Sequence, residues 1–110
     1  MIARVWHATA TVEGAAAYRE QFVRTVLPEL QRIDGYQGTY VLRDDRDTHV
    51  QLQVLTLWDS LEAIRSVARA NLEKAVIEPA AQAGLITYDS TVTHHIVVVD
   101  TVAANVRTAE

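Results

Sequence analysis

The sequence predicts a small α+β domain of the ferredoxin-like type, with the element order βαββαβ. Stretches rich in β-branched and aromatic residues alternate with stretches whose apolar residues recur at helical spacing. A short polar loop joins two of the extended stretches, as in a hairpin. The 110 residues have room for one core. We therefore expect a four-stranded antiparallel sheet with its helices on one face.

The first strand is predicted at Ile2–Ala10, a stretch that β-branched and aromatic residues dominate. Side chains alternate between the two faces of a strand, so Trp6 and His7 point to opposite faces. Thr11 follows directly, and its hydroxyl can accept a hydrogen bond from the first turn of a helix. We therefore expect the first helix to begin after Thr11.

The first helix is indicated by apolar residues at every fourth position. They form one broad stripe that would cover a sheet, and its members are Tyr18, Phe22, Val26 and Leu30. Pro28 falls inside this pattern and lacks a backbone N–H, which predicts a kink near Arg24 or a break at which Pro28 restarts the helix. Gly35 is expected to end the segment in a left-handed conformation.

The next two strands are predicted at Tyr36–Arg43 and His49–Trp58. The loop between them, Asp44–Thr48, is short and polar, which predicts a hairpin. Alternation along the second of these strands places five side chains on one face, namely Val50, Leu52, Val54, Thr56 and Trp58. Both faces of this strand are partly apolar, so we expect both to be covered.

A second helix is expected after Asp59, which can act as its cap, with Glu62 at the capping-box position. The inward face of this helix would consist of Leu61, Ile64, Val67 and Ala68. A further helical stretch is predicted up to Pro79, with apolar positions at Leu72, Ala75 and Val76. The last strand is predicted at Ile86–Val99, which is rich in threonine and valine.

These elements make one domain at residues 1–99, followed by a weakly specified tail at residues 100–110. A four-stranded sheet with helices on one face leaves its other face bare. Because that face is partly apolar, two copies of the chain would bury it by pairing face to face. We therefore expect a homodimer.

The composition excludes several classes of protein. With 49% apolar and 22% charged residues, the chain is typical of globular domains. The apolar run Ile96–Val99 is too short to span a membrane, and the N-terminus lacks the apolar core of a signal peptide, so a cytoplasmic location is expected. The net charge of −4 is spread along the chain without a basic stripe, which argues against a nucleic-acid partner.

Metal and thiol chemistry are not indicated by the sequence. The chain has no cysteine, which removes disulfides, thiolate nucleophiles and thiolate metal sites. No pair among the four histidines has the spacing of a helical metal site, and His94 and His95 point to opposite faces of their strand. We therefore expect no metal ion, and the reactive groups must be histidine, tryptophan, tyrosine, arginine or carboxylate side chains.

Three segments carry a resemblance to a known family: Ile2–His7, the turn Gly35–Gly38, and Leu55–Ala63, in which a strand-end tryptophan is followed by Asp-Ser and a helix. Together they resemble the antibiotic biosynthesis monooxygenase family over roughly residues 2 to 98. This resemblance implies a dimeric α+β barrel, the form that a pair of ferredoxin-like sheets adopts.

The resemblance also implies a monooxygenase that oxidises a planar aromatic or quinol-type molecule with O₂ and without a cofactor. An electron-rich phenolate or carbanion can itself pass an electron to O₂, so the protein need only bind, deprotonate and desolvate it. Trp58 matches the tryptophan of the family's cleft between sheet and helices, while Val54 stands where those enzymes carry an asparagine. Heme-degrading relatives keep Trp, His and Asn where this chain has Val67, Ile77 and His7, which disfavours heme degradation.

We predict that His7 is the catalytic base and that Trp58 is the wall on which a planar substrate stacks. The other expected substrate-binding residues are Tyr18, Phe22, Thr56 and Val54. Two alternatives use the same fold: a ligand-binding dimer without catalysis, which Val54 favours, and an isomerase or cyclase that uses the same base. The expected partners are a small aromatic molecule and a second copy of the chain.

Overall fold

The computed structural model describes residues 1–68 and 84–102. Within them the chain forms an antiparallel sheet with helices packed on one face, which confirms the ferredoxin-like class predicted from the sequence. None of the helices in these two ranges is long and apolar enough to cross a membrane. The elements in chain order are β1 (Ile2–Ala10), α1 (Val12–Gln21), a π-helical turn (Phe22–Val26), α2 (Leu27–Leu30), β2 (Tyr36–Asp45), β3 (Val50–Trp58), α3 (Leu61–Ala68), β4 (Leu85–Tyr88) and β5 (Thr93–Ile96).

Within the described ranges the sheet has five strands rather than the four expected, because the last predicted strand is divided. The strand order begins β2-β3-β1, and both β4 and β5 pair with the other edge of β1. The expectation of one strand at Ile86–Val99 is therefore wrong. The side chain of Val92, between the two pieces, is buried in the core, and this inward turn takes the chain out of the ladder.

The alternation of β1 and β3 decides what lies on each face of the sheet. The face that the helices cover carries apolar side chains of both strands, chiefly Trp6, Ala8, Val50, Leu52, Val54 and Trp58. The residues between them lie on the other face, which we call the open face because no described helix packs on it. Since β1 and β3 pair residue by residue, His7 lies opposite Gln53 on the open face, and Trp6 lies opposite Val54 on the covered face.

The first helical segment begins and bends where expected. The backbone N–H of Gly14 donates to the hydroxyl of Thr11 at 2.9 Å, which caps α1. The irregularity predicted near Arg24 is the π-helical turn, in which the Leu27 N–H reaches back to the Phe22 carbonyl. Pro28 follows directly as the second residue of α2, at the point where the helical hydrogen-bonding pattern changes.

The segment before β2 ends at Gly35, whose φ of 95° is the left-handed conformation predicted for it. A Cβ at this position would lie 2.6 Å from the Cβ of Ala63, so Gly35 also allows α3 to approach. The hairpin between β2 and β3 closes with the Arg46 N–H donating to the His49 carbonyl at 2.8 Å. The hairpin prediction is thus confirmed, with β2 two residues longer than expected.

The cap of α3 differs from the prediction. The hydroxyl of Ser60, not the carboxylate of Asp59, accepts from the first turn, through the Ala63 N–H at 3.3 Å. Asp59 instead accepts a hydrogen bond from the side chain of Gln37 and ties the start of α3 to β2. The helical stretch predicted up to Pro79 and the end of the predicted tail, residues 103–110, lie outside the described residues.

Candidate functional site

The predicted aromatic site residues lie on the covered face and pack against one another. Trp58 is only 1% exposed, and Tyr18, Phe22 and Val54 are buried with it in one core cluster. The Trp58 indole N–H donates to the Thr56 hydroxyl at 2.9 Å, and the edge of its ring meets Tyr36 at a centroid distance of 5.4 Å. The structure therefore brings these predicted residues together as packed core, with little of Trp58 accessible to a substrate.

A second set of ring contacts continues this cluster. Trp6 stacks on Tyr18 at a centroid distance of 5.8 Å, and Tyr18 is followed by Phe22 at 6.2 Å. Burial raises the pKa of Tyr18 to about 12, because the phenolate would lose its hydration in this environment. The Tyr18 phenol therefore stays neutral at physiological pH.

His7 lies on the open face, away from these aromatic side chains. It pairs with Gln53, whereas Trp58 pairs with Ile2 at the other end of β1. Five residues of strand separate the two positions, which corresponds to roughly 16 Å along the sheet. Because the sheet itself also lies between their side chains, His7 and Trp58 do not form one site.

An open pocket of about 210 Å³ surrounds His7. Its floor is formed by neighbouring positions of β1, β3 and β4 near one end of the sheet. The lining residues are His7, Ala8, Thr9, Gln51, Leu52, Thr87, Tyr88 and Asp89. Strand alternation directs the polar members of this set to the open face, so the pocket brings several polar side chains together beside the apolar Ala8 and Leu52.

Asp89 is the charged neighbour of His7. The residue follows β4 directly, and its backbone N–H donates to the His7 carbonyl at 3.0 Å, which sets the two residues side by side across the strands. The His7 Nδ1 lies 3.5 Å from the Asp89 Oδ2. Both side chains remain accessible, with 55% and 56% exposure. The pair thus places an imidazole and a carboxylate next to each other at the pocket wall.

Three further polar side chains line the same pocket. The hydroxyls of Thr9 and Thr87 are 2.6 Å apart, and one of the two must donate to the other. The second hydroxyl hydrogen is then available to a ligand. Gln51 lies on β3 beside Thr9, with which it pairs across the strands. The pocket therefore offers an acid–base pair on one side and neutral hydrogen-bond donors on the other.

Sequence reasoning missed Asp89, Thr87 and Gln51. Each is a common polar residue in a strand or at its end, and nothing in its neighbours along the chain distinguishes it. A usable signal was the threonine at Thr9, two positions after His7 on the same face of β1. The partners on β3 and β4 follow only from the strand register, which the bulge between Thr9 and Ala10 shifts.

A different polar contact lies on the covered face. Arg4 is buried, and its guanidinium donates to the Nε2 of His94 at 3.0 Å. Burial lowers the pKa of Arg4 through loss of hydration. His95, on the open face, forms a hydrogen bond with Thr93 at 2.9 Å and lies opposite Ala3, so the two histidines do point to opposite faces as predicted.

Among residues 1–68 and 84–102, no group of three or more His, Asp or Glu side chains is arranged to hold a metal ion.

Comparisons with known proteins show that the fold of this chain is similar to those of several solved structures. No family model and no curated protein matches the sequence. A candidate antibiotic biosynthesis monooxygenase from Bacillus cereus matches with a TM-score of 0.63 and 16% identity over 90% of this chain and 94% of that one.

Two further structures have described activities. SnoaB, a cofactor-independent oxygenase from Streptomyces nogalater, matches with a TM-score of 0.55 and 16% identity over 92% of this chain and 96% of that one. MhuD, a heme degrader from Mycobacterium tuberculosis with two hemes bound in its active site, matches with a TM-score of 0.53 and 19% identity over 91% and 98%. The resemblance noted in the sequence is thereby confirmed at the level of the fold: this chain has the fold of the antibiotic biosynthesis monooxygenase structures.

Proposed function

We propose that this protein is a cofactor-independent monooxygenase that oxidises a small phenol or quinol with O₂ and uses His7 as its general base. The observation that carries the proposal is the pocket around His7, in which an imidazole with a carboxylate neighbour faces hydrogen-bond donors. The fold shared with a cofactor-independent oxygenase supports the choice of reaction. The site that we propose lies on the open face, not between sheet and helices.

The pocket volume matches the size of a single aromatic ring. An apolar protein cavity of about 150 Å³ holds one benzene molecule. The pocket of about 210 Å³ therefore suits a single ring with one or two oxygen substituents. A fused multi-ring polyketide or a heme macrocycle would extend well beyond it. Hydroquinones of one ring are thus the first substrates to test.

The proposed reaction consists of a proton transfer, an electron transfer to O₂ and the formation of a C–O bond. His7 takes a proton from a ring hydroxyl, and the resulting anion passes one electron to O₂. The ring radical and superoxide combine to form a C–O bond. Loss of the ring C–H proton and cleavage of the O–O bond then leave a ring carbonyl and release water. One oxygen atom enters the product, the other becomes water, and the substrate supplies all the electrons.

The neutral donors have a defined part in this scheme. A ring oxygen bound to Thr9, Thr87 or Gln51 would direct the hydroxyl at the opposite side of the ring toward His7. Donors that hold this second oxygen fix the ring in the orientation in which His7 can reach the hydroxyl that it deprotonates. The side chain of Trp58 is assigned to packing under this proposal, since it is buried on the other face.

A homodimer is part of the same proposal. The open face carries apolar side chains beside the pocket, among them Val5, Tyr40, Leu42, Leu55 and Leu57. A second copy placed on this face would bury them and would also cover the pocket. Exclusion of water would then strengthen the contacts that His7 and the donors make with a charged intermediate.

The decisive experiment is enzyme-dependent O₂ uptake with single-ring hydroquinones, compared between wild type, His7→Ala and His95→Ala. His95 is a matched control, because it is an accessible histidine on the same face that lies outside the pocket. Loss of a general base should reduce kcat by about 10²-fold or more in His7→Ala and leave His95→Ala near wild type. Equal uptake in wild type and His7→Ala would contradict the proposal.

One observation favours a second candidate, a ligand-binding dimer without catalysis. The covered face, where the family carries its cleft tryptophan, is filled by packed side chains, and Val54 offers no hydrogen bond there. Saturable binding of a hydroquinone with no O₂ uptake would support this reading. Heme is tested in the same series: a Soret shift that His7→Ala abolishes would favour a heme-binding function instead.

A further inference from the structure

Asp89 has its backbone fixed from two sides. Its N–H donates to the His7 carbonyl at 3.0 Å, and its carbonyl accepts from the indole N–H of Trp6 at 2.8 Å. Trp6 is itself buried in the core, so this anchor is connected to the hydrophobic core cluster. The backbone of Asp89 therefore holds the chain in place at the end of β4, and its side chain is not needed for that task.

The carboxylate of Asp89 points along the open face to His7. Within the described ranges, the His7 ring at 3.5 Å is its sole ion-pair partner. The nearer ring atom is Nδ1, which leaves Nε2 on the far side of the ring. A carboxylate beside Nδ1 favours the tautomer with a proton on Nδ1, and in that tautomer Nε2 carries the lone pair.

We propose that Asp89 is a positioning residue for His7. It accepts the Nδ1 proton, holds the imidazole in the tautomer whose Nε2 can take a proton from a substrate, and stabilises the imidazolium that forms. The role rests on the proposed function of His7 as a base. It extends that function by naming which nitrogen reacts and what orients it.

The kinetic test compares Asp89→Asn with Asp45→Asn. Asparagine keeps the size and the backbone contacts of residue 89 but removes the anionic acceptor. Because the pair is exposed to solvent, we expect kcat to fall about tenfold, well short of the roughly 10⁴-fold loss in a buried Ser-His-Asp triad, with KM unchanged. Asp45→Asn removes a carboxylate from the far edge of the sheet, outside the pocket, and should leave kcat unchanged. An Asp89→Asn enzyme with wild-type kcat would overturn the proposal.

The tautomer can be measured without any substrate. Nitrogen-15 NMR of the imidazole at a pH where His7 is neutral should show the proton on Nδ1 in the wild type. In Asp89→Asn it should shift toward Nε2, the position preferred by free histidine, and Asp89→Glu should restore the wild-type pattern. If Asp89 had only a structural role, Asp89→Asn would not change the His7 tautomer while the circular dichroism spectrum stayed the same. An unchanged tautomer in Asp89→Asn would also refute the positioning role.

The two proposals fail in different ways. If no hydroquinone is oxidised but the tautomer depends on Asp89, the monooxygenase proposal fails and the positioning of His7 stands. If O₂ uptake depends on His7 but Asp89→Asn changes neither kcat nor the tautomer, His7 is supported as the base and the positioning role of Asp89 is refuted.

Discussion

Adjacent residues of β1 serve the two faces of the sheet in different ways. Trp6 is buried in the core and donates to the Asp89 carbonyl, while His7 is exposed on the open face beside the Asp89 side chain. A single residue, Asp89, thus contacts both the packed core of one face and the pocket of the other. The core fixes the backbone, and the backbone places the charged side chains.

Tyr18 predicts how stability depends on pH in the alkaline range. Its pKa rises from 10.0 to about 12 because the phenol is buried in the folded state. Between these values the unfolded chain has lost the proton and the folded chain still holds it. The unfolded state then binds fewer protons, so the free energy of unfolding must fall as pH rises. The full loss is about 2 to 3 kcal/mol, and below pH 10 this contribution does not vary.

The measurement is urea denaturation at several pH values from about 9 to about 11. Tyr18→Phe keeps the stacked ring and removes the titrating group, so its stability should decrease less steeply over this range. Tyr88→Phe, at a tyrosine of β4 that is 42% exposed and lies outside the open face, is the control and should keep the wild-type slope. Identical slopes for wild type and Tyr18→Phe would show that Tyr18 is not buried as described.

At the scale of elements, α1 meets the start of β4 through two glycines. A Cβ on Gly14 would lie 1.9 Å from the carbonyl oxygen of Gly84, a backbone atom that cannot move aside as a side chain can. Helix propensity alone would make Gly14→Ala stabilising by about 1 kcal/mol. We expect the overlap to dominate and the variant to lose about 1 to 3 kcal/mol in chemical denaturation.

The control for Gly14→Ala is Ala16→Gly at an exposed position of the same helix. It measures the cost of exchanging alanine and glycine in α1 without a neighbouring backbone. Adding that cost to the loss in Gly14→Ala isolates the contribution of the contact. A stabilised Gly14→Ala variant would mean that α1 and the start of β4 are further apart than the structure has them.

The elements were predictable from the sequence because their signals are local. The Thr11 cap, the effect of Pro28 and the left-handed Gly35 each depend on a few adjacent residues. Alternation also separated His7 from Trp6 correctly. It did not say which face the helices cover, because both faces of β1 include small or apolar residues.

The candidate site was only partly predictable, because its partners come from different strands. His7 was named from its own chemistry, but Asp89 meets it through the register between β1 and the end of β4. That register follows a bulge, and the last predicted strand breaks just beyond Asp89. Trp58 was assigned to a cleft by resemblance, whereas packing against Tyr36 and the core decides its position.

At the scale of the whole molecule, the open face predicts the oligomeric state. Tyr40 and Leu42 of β2 are 43% and 45% exposed on this face, beside the less exposed Leu55 and Leu57 of β3. Apolar side chains in one continuous area are costly to leave in water, and a second copy related by a two-fold axis covers them on both chains at once. Light scattering should therefore give twice the chain mass of 12.2 kDa.

Comparison of Leu42→Asp with Val41→Asp distinguishes loss of the dimer interface from a general loss of folding stability. The two residues are adjacent on β2, and Val41 is 36% exposed, but Val41 belongs to the covered face and Leu42 to the open face. An aspartate at residue 42 would bury two charges at a paired interface, so that variant should become a monomer at concentrations where Val41→Asp remains a dimer. If the open face also closes the pocket, Leu42→Asp should lose His7-dependent O₂ uptake together with the dimer. A monomer mass for the wild-type protein in light scattering would contradict both the proposed dimer and the proposed closure of the pocket.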